Sequence, residues 1–276
     1  MHKVLLSVLI PVYKYYDGVV WFLDELGEVP NDCEIIIHDI GQSNICSKIS
    51  PFVKNKNIKI SSVKKGLCPA DNWNNLIMQA NGKYINLVHH DEVPPDNYLK
   101  DLSSLLKYEH SDLYILNVDI YRENKTFMRK HSNNFLKRLI LNQPDYLFKR
   151  NLIGPSAAII FRNNGKVKFS RSLKWLVDVD FYYKLIMITD RKKISLFSNL
   201  TIRSIKRKKN SITEMLRRSD IKFIEQQELQ EIKKDKMLEK SRWVNKGGST
   251  SLIYYFETLF FLLTRFYLMI ISSLKK

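Results

Sequence analysis

Disulfide chemistry has little to work with in this sequence. Its 276 residues include three cysteines, Cys33, Cys46 and Cys68. An odd number without close pairing excludes a disulfide framework or a cysteine-rich zinc site and points to a reducing compartment. A long apolar leader is also missing. The run Val4–Ile10 is followed by Pro11 and is too short for a signal-peptide core with its cleavage site, so it reads as a buried strand that Pro11 ends. Secretion is not expected. There is no internal repeat. No glycine-rich loop carrying Arg or Lys follows the first run, where Pro11-Val12-Tyr13-Lys14-Tyr15 stands instead; this argues against a nucleotidyltransferase. Acids are outnumbered, with 28 Asp and Glu against 45 Lys and Arg and a formal charge of +17. That surplus implies nucleic acid, anionic lipid or phosphorylated substrates as partners, and says nothing about fold.

What is present is apolar content of 45%, ample for a packed core. Short apolar runs at Val4–Ile10, Glu34–His38, Ile58–Val63, Tyr84–His89 and Leu113–Val118 alternate with amphipathic stretches at Asp17–Leu26, Ala70–Ala80 and Asn97–Leu106. Such alternation predicts βαβ units and a mainly parallel sheet. Ala157–Phe161 reads as a further strand and Asp178–Met187 as a helix. A basic stretch, Arg203–Lys209, precedes a charged helix from about Asp220 to Lys240. In parallel sheets ligands sit at the C-terminal strand ends, so the polar residues after each run are the candidates.

Four clusters stand there. Ile10-Pro11-Val12-Tyr13 closes the first strand, and Tyr13 has a ring able to stack on a nucleobase; a plain strand-end tyrosine is the rival reading. Asp39, before Gly41-Gln42-Ser43-Asn44, has an acceptor carboxylate for a base N–H or ribose hydroxyl, although Asp and Gly are also ordinary turn residues. His89-His90-Asp91-Glu92 crowds two acids and two histidines behind a buried strand. Mg²⁺ or Mn²⁺ takes one or two carboxylates and completes its shell with phosphate and water. A solvated loop capping the next helix is the alternative, and zinc lacks the further ligands of a structural site. Asp178 and Asp180 begin a helix, where acids are also favoured by the dipole; they do not share a helical face, so they have separate jobs.

Together these clusters resemble the family 2 glycosyltransferases with the GT-A fold. Ser7–Tyr13 is similar to that family's first strand, with Lys14 where Asn is usual. The Asp39 loop is similar to its Asp-Asp/Asn-Gly-Ser-x-Asp segment, with Gln42 and Asn44 as departures. Asn74–Ala80 and Gly82-Lys83-Tyr84-Ile85 resemble the segment leading into the metal-binding strand. His89-His90-Asp91-Glu92 falls at the DxD motif, with His89 in place of its first acid. Gly154-Pro155-Ser156-Ala157 and Val177-Asp178 resemble the acceptor-side loop and the catalytic base. Lys206–Thr213 resembles an Arg-x-His-x-x-Ser-x-Thr loop in which Lys208 replaces the histidine; a solvated basic loop is its rival reading. The likeness spans roughly residues 5 to 215, in the family's order.

The resemblance implies an α/β fold of Rossmann-like, GT-A type: a mixed, mainly parallel sheet flanked by helices, with a C-terminal helical appendage. Residues 1–215 would form the glycosyltransferase domain and 216–276 a helical region. The expected reaction is inverting transfer from a nucleotide-sugar, UDP before dTDP or GDP, to an acceptor hydroxyl. Asp178 would be the general base, with Asp180 second. Asp91, then Glu92 and His89, would hold Mn²⁺ or Mg²⁺; Pro11, Tyr13, Asp39, Asn74, His90 and Lys208 would bind the nucleotide. The segment Leu252–Ile271 carries Glu257, Thr258, Thr264 and Arg265 on a narrow polar wedge. An amphipathic helix over about 252–273 lying in a membrane surface tolerates these charges better than a spanning one, and packing on the chain's own core or on a second copy is the alternative. Peripheral attachment to the cytoplasmic face, a lipid-linked or growing bacterial surface polysaccharide as acceptor, and no nucleic-acid partner are the expectations. The contrasting reading is a nucleic-acid- or membrane-binding module on an inactive GT-A fold.

Overall fold

A computed structural model describes residues 4–12, 17–26, 28–40, 49, 57–62, 68–89, 92–95, 97–122, 125–128, 134–205 and 218–243. Strands are β1 Leu6–Val12, β2 Cys33–Asp39, β3 Ile58–Ser62, β4 Tyr84–Leu87, β5 Glu92–Val93, β6 Leu113–Arg122, β7 Lys125–Met128, β8 Ile159–Arg162 and β9 Ile194–Ile205. Helices are α1 Asp17–Leu26, α2 Pro69–Gln79, α3 Tyr98–Tyr108, α4 Asn134–Asn142, α5 Tyr146–Lys149, α6 Val177–Ile188 and α7 Arg218–Trp243. One compact unit runs to Leu229 and a second from Gln230. Among the described residues no helix is long and apolar enough to cross a membrane. The segments Leu252–Ile271 and Lys206–Thr213 lie outside the described residues.

The sheet runs β3-β2-β1-β4-β8-β6-β9-β5, with β7 paired to β6. β3, β2, β1 and β4 are parallel, and β8 joins β4 and β6 antiparallel. The expected βαβ half is therefore present, joined to a mixed half. Every residue of β1 and β2 is buried, as strands covered on both faces require. Leu6, Val8, Ile10 and Val12 share a core with Val19, Phe22, Leu23 and Leu26 of α1 and with Leu99, Leu102 and Leu106 of α3. These helical positions recur every three or four residues, the spacing that puts one stripe on the sheet. On the other face α2 packs against β1 and β2.

Pro11 does not end the first strand, which continues to Val12. The reason is local. Leu9 offers its carbonyl to Val88 on the β4 side, and the N of Pro11 points the same way by the two-residue period. Pairing with β4 stops at Leu9, so no ladder bond is lost.

At the N-terminal ends of these strands buried Glu34 ties several segments together. Its carboxylate accepts from Ser7 Oγ at 2.6 Å, Asn81 N at 2.7 Å and Lys59 Nζ at 2.9 Å. Burial alone would raise this carboxyl, but the Ser7, Lys59 and Asn81 hydrogen bonds outweigh it and hold the group below its usual value. Nearby, burial pushes the Cys33 thiol up to about 12, so it is no nucleophile at neutral pH.

Lys137 of α4 is fully buried and donates to Leu116 O at 2.6 Å and to Asn117 Oδ1 at 2.8 Å. Burial lowers its amine to about 8. Between that value and an ordinary lysine's, the unfolded chain binds more protons than the folded one, so stability rises with pH across this window. The shift corresponds to roughly 3 kcal/mol at full span. Urea titrations at pH 7.5 and pH 10 should show the rise in wild type and lose most of it in Lys137→Met; an equal rise in both would remove Lys137 as its source.

Candidate functional site

The C-terminal ends of β1, β2 and β4 form one edge. Pro11 lies beside His38 and Val12 beside Asp39 in the β1–β2 register, and Asp39 faces Ser62 across β2–β3. Asp39 is buried there, and Ile40 N closes the edge on Val12 O at 3.1 Å. On the opposite face His38 Nδ1 meets Asn72 Oδ1 of α2 at 3.0 Å, and both side chains are buried. Among the described residues His38 Nε2, Asn72 Nδ2 and Ser61 Oγ have no hydrogen-bond partner. The edge thus keeps polar capacity close to Asp39, and Tyr13 lies outside the described residues.

Beyond β4 the chain makes a tight turn. Val88 N donates to Leu9 O at 2.9 Å, Glu92 N to His89 O at 3.1 Å, and His89 N to Glu92 Oε2 at 2.8 Å. β5 then pairs antiparallel with β9, Glu92 opposite Ser204 and Val93 opposite Arg203, and Arg203 Nη2 reaches Pro94 O at 3.0 Å. Buried Glu92 therefore spends part of its carboxylate on the turn's own backbone. His90 and Asp91 lie outside the described residues. Upstream, Asn86 donates to Ala157 O at 3.0 Å and Ile159 O at 2.9 Å and accepts from Tyr98 Oη at 2.9 Å. Burial and the nearby Glu92 push the Tyr98 hydroxyl's pKa upward, so it remains a donor.

From this turn a row of rings leads across the molecule. His89 lies edge-on to Trp73 at 5.1 Å between centroids, Trp73 edge-on to Phe169 at 4.9 Å, and Phe169 stacks on Phe181 of α6 at 3.8 Å. The two edge-to-face pairs add stabilisation beyond burial. Asn74 fastens the row: its Nδ2 donates to Phe169 O at 3.0 Å, and Phe169 N donates to its Oδ1 at 2.9 Å. The amide expected to meet a nucleotide is thus engaged with backbone in this structure.

α6 carries both candidate bases in its first turn. Asp180 is buried and paired with Lys184 Nζ at 2.6 Å, and Lys184 also donates to Ser170 Oγ at 3.0 Å. Asp178 is only half-buried. The two acids therefore differ in environment, as their separate helical faces require. No side chain of the adjoining residues caps this helix. Glu228 of α7 holds the segment leading into it: its Oε1 accepts from Lys174 N at 2.6 Å and Trp175 N at 3.1 Å, its Oε2 from Leu176 N at 2.7 Å. The loop before β8 is shaped by Asn151, whose Oδ1 takes the N–H groups of Ile153 and Gly154 while Nδ2 donates to Gly154 O. Gly154 has φ of 123°, a conformation open to glycine, and its carbonyl also accepts from Tyr182 Oη at 3.3 Å.

Trp73, Phe169, Phe181 and Glu228 are absent from the candidates read off the sequence. The first three carry no chemistry of their own, and Glu228 sits in a charged helix whose pattern gives no sign of an inward carboxylate. Lys208 lies outside the described residues. Among the described residues no group of three or more His, Cys, Asp or Glu side chains is placed to hold a metal ion. A cavity of about 170 Å³ lined by Asn74, Ile77, Asn163 and Val167 involves the N-terminal side of β4, away from this edge.

The model of Glycosyl transferase family 2 matches residues 7–167, more than half of the chain. No curated protein matches the sequence. Among solved structures, residues 1–349 of S. aureus TarS in complex with UDP-GlcNAc are similar, with a TM-score of 0.60 at 18% identity over 76% of this chain and 60% of that one. The same TarS segment with UDP gives 0.57 at 18% identity over 73% and 60%. A longer TarS chain gives 0.57 at 18% identity over 73% of this chain and 37% of its own. The chain thus spans about three fifths of the TarS segment, and the likeness is one of fold: a mixed sheet flanked by helices of GT-A type.

Proposed function

Because the chain belongs to glycosyl transferase family 2, we propose that it is an inverting hexosyltransferase-like enzyme moving a sugar from a nucleotide-diphosphate sugar to an acceptor hydroxyl. The observation that carries the reading is the connection of two half-sites. The strand edge with Pro11, Asp39 and the His89–Glu92 turn is tied by the rings of Trp73 and Phe169 to the helix bearing Asp178. UDP is the leading nucleotide, supported by TarS having been crystallised with UDP-GlcNAc and UDP; dTDP and GDP are the alternatives.

Asp39 and Tyr13 hold the nucleoside at the strand edge, contributing position, with Pro11 shaping the edge and Asn74 holding Phe169 beside it. Asp178 takes the proton of the acceptor hydroxyl as its oxygen attacks the anomeric carbon. Asp180, engaged by Lys184, is the second candidate. His90 and Lys208 contact the diphosphate. His89, Asp91 and Glu92 offer an imidazole and two carboxylates within four consecutive positions of the sequence, donor types that fit Mn²⁺ or Mg²⁺. Glu92 already accepts from His89 N, so Asp91 is the leading ligand. When bound, such an ion supplies positive charge against the departing diphosphate. Residues 1–215 form the transferase domain in this reading and 216–276 a helical region. The +17 charge supports attachment of the 252–273 helix to a cytoplasmic membrane surface, where a lipid-linked or growing surface polysaccharide would be the acceptor.

Thermal stabilisation by UDP, dTDP and GDP and their sugars, with and without Mn²⁺, tests the donor site. A ligand at a hundred times its Kd adds about 2.7 kcal/mol. The expected result is a shift that requires Mn²⁺ and is lost in Asp91→Ala. If no nucleotide or nucleotide-sugar shifts the wild-type transition, the transferase reading gives way to an inactive GT-A module, to which the substitution at His89 lends the one supporting observation.

A further inference from the structure

Glu228 stands out among the buried acids. It lies on the C-terminal helix α7, within the first compact unit, yet its carboxylate is buried at a place 52 to 54 residues earlier in the chain. Among the described residues no lysine or arginine pairs with it. Its charge is met by three successive backbone N–H groups, those of Lys174, Trp175 and Leu176, through contacts of 2.6 to 3.1 Å. Charge-assisted bonds of this type are about twice as strong as neutral ones, and desolvating a carboxylate without them is costly. The three donors precede α6, whose own flanking residues provide no side-chain cap. Two residues after the last of them comes Asp178.

We propose that Glu228 is a positioning residue: it fixes the start of α6 and thereby sets where Asp178 meets the acceptor hydroxyl. This rests on the reading of Asp178 as the base. A carboxylate gripping three consecutive amides pins the segment that enters α6, up to its N-cap residue Leu176, and so fixes where the first turn begins. A general base has to sit within hydrogen-bond reach of its proton, so loss of the grip acts on turnover and leaves the nucleotide edge, which is built from other elements, unchanged.

Glu228→Gln keeps the size and withdraws one acceptor oxygen, placing an NH₂ against backbone donors. Nucleotide diphosphate release from UDP-, dTDP- and GDP-sugars in Mn²⁺, with water as acceptor, would be followed in wild type, Glu228→Gln, Asp178→Asn and the double variant. Amide hydrogen exchange of residues 174–180 would be read alongside. The expected result is a kcat lowered about tenfold or more with KM within about twofold, faster exchange over 174–180, and less than about twofold further loss when Glu228→Gln is added to Asp178→Asn. Equal turnover in wild type and Glu228→Gln, a parallel rise in KM, or full additivity with Asp178→Asn overturns the positioning role and leaves the transferase reading standing. A wild-type chain that releases no nucleotide from any donor overturns the transferase reading itself. If Glu228→Gln does not fold, Glu228→Asp, one methylene too short to span the three donors, is judged by the same criteria.

Discussion

Asp178→Asn is expected to lower kcat for sugar transfer by about 10²–10⁴-fold, the range that general base catalysis contributes, while the Kd for nucleotide stays close to that of wild type. Asparagine has nearly the same shape and cannot accept the proton. Asp180→Asn should behave differently. It breaks the 2.6 Å pair with Lys184 inside the helix, so the thermal transition falls while kcat is retained to within about tenfold. Paired measurements of kcat and Tm on the two variants separate the assignments. A large loss of kcat in Asp180→Asn with little change in Asp178→Asn would transfer the base role to Asp180. The half-buried setting of Asp178 against the buried setting of Asp180, whose carboxylate is paired with Lys184, is the reason for the stated order, because a base has to reach its substrate.

The second large effect concerns Gly82, far from the chemistry. A Cβ there would lie 2.5 Å from Ser7 N, 2.6 Å from Ser7 Oγ and 2.8 Å from Leu6 C. Two of the three are backbone atoms of the buried strand β1, which cannot step aside without moving the sheet. Gly82 N also donates to Ser7 Oγ at 2.8 Å, and the adjacent Asn81 N is held by Glu34. Gly82→Ala should therefore destabilise the fold by about 1–3 kcal/mol or more, as overpacking does. For a domain of this size that is roughly 2–4 °C of Tm per kcal/mol. Melting curves of Gly82→Ala and of Gly82→Ala with Ser7→Ala decide the cause. If the backbone contact is responsible, removing the Ser7 hydroxyl gives no relief; recovery in the double variant would place the conflict on the side chain.

Much of the parallel half is legible because both signals agree there. β1 is apolar but for Ser7 and β2 is centred on Ile35-Ile36-Ile37, α1 and α3 show helical spacing, and Asp39 and the His89–Glu92 turn fall at strand ends where the topology puts ligands. The mixed half is less legible for physical reasons. β9 carries Ser195, Asn199 and Thr201 among its apolar residues, and its register with β6 slips between Leu116 and Asn117, where Phe197 and Thr201 become successive partners. That slip destroys the two-residue period by which strands are recognised. α4 buries Lys137 on its inner face, so charge there marks inside instead of outside. Pro11 reads as a strand stop and is accommodated because β4 has already ended on that side. Glu228 is invisible from sequence, since nothing near it records that its partners are the amides of residues 174–176.

The pairing of β5 with β9 has a consequence for the order of assembly. The turn between His89 and Pro94 is anchored on one side by β4 and on the other by Arg203 and Ser204, with Arg203 reaching across 109 residues to Pro94 O. Contacts of such separation form late, because the intervening chain has to lose its freedom before they give anything back. During synthesis, β1, β2 and β4 can associate as soon as they emerge, yet Glu92 and Val93 have their pairing partners only after residue 204 has been made. A chain interrupted before that point would hold a half-sheet without a finished turn.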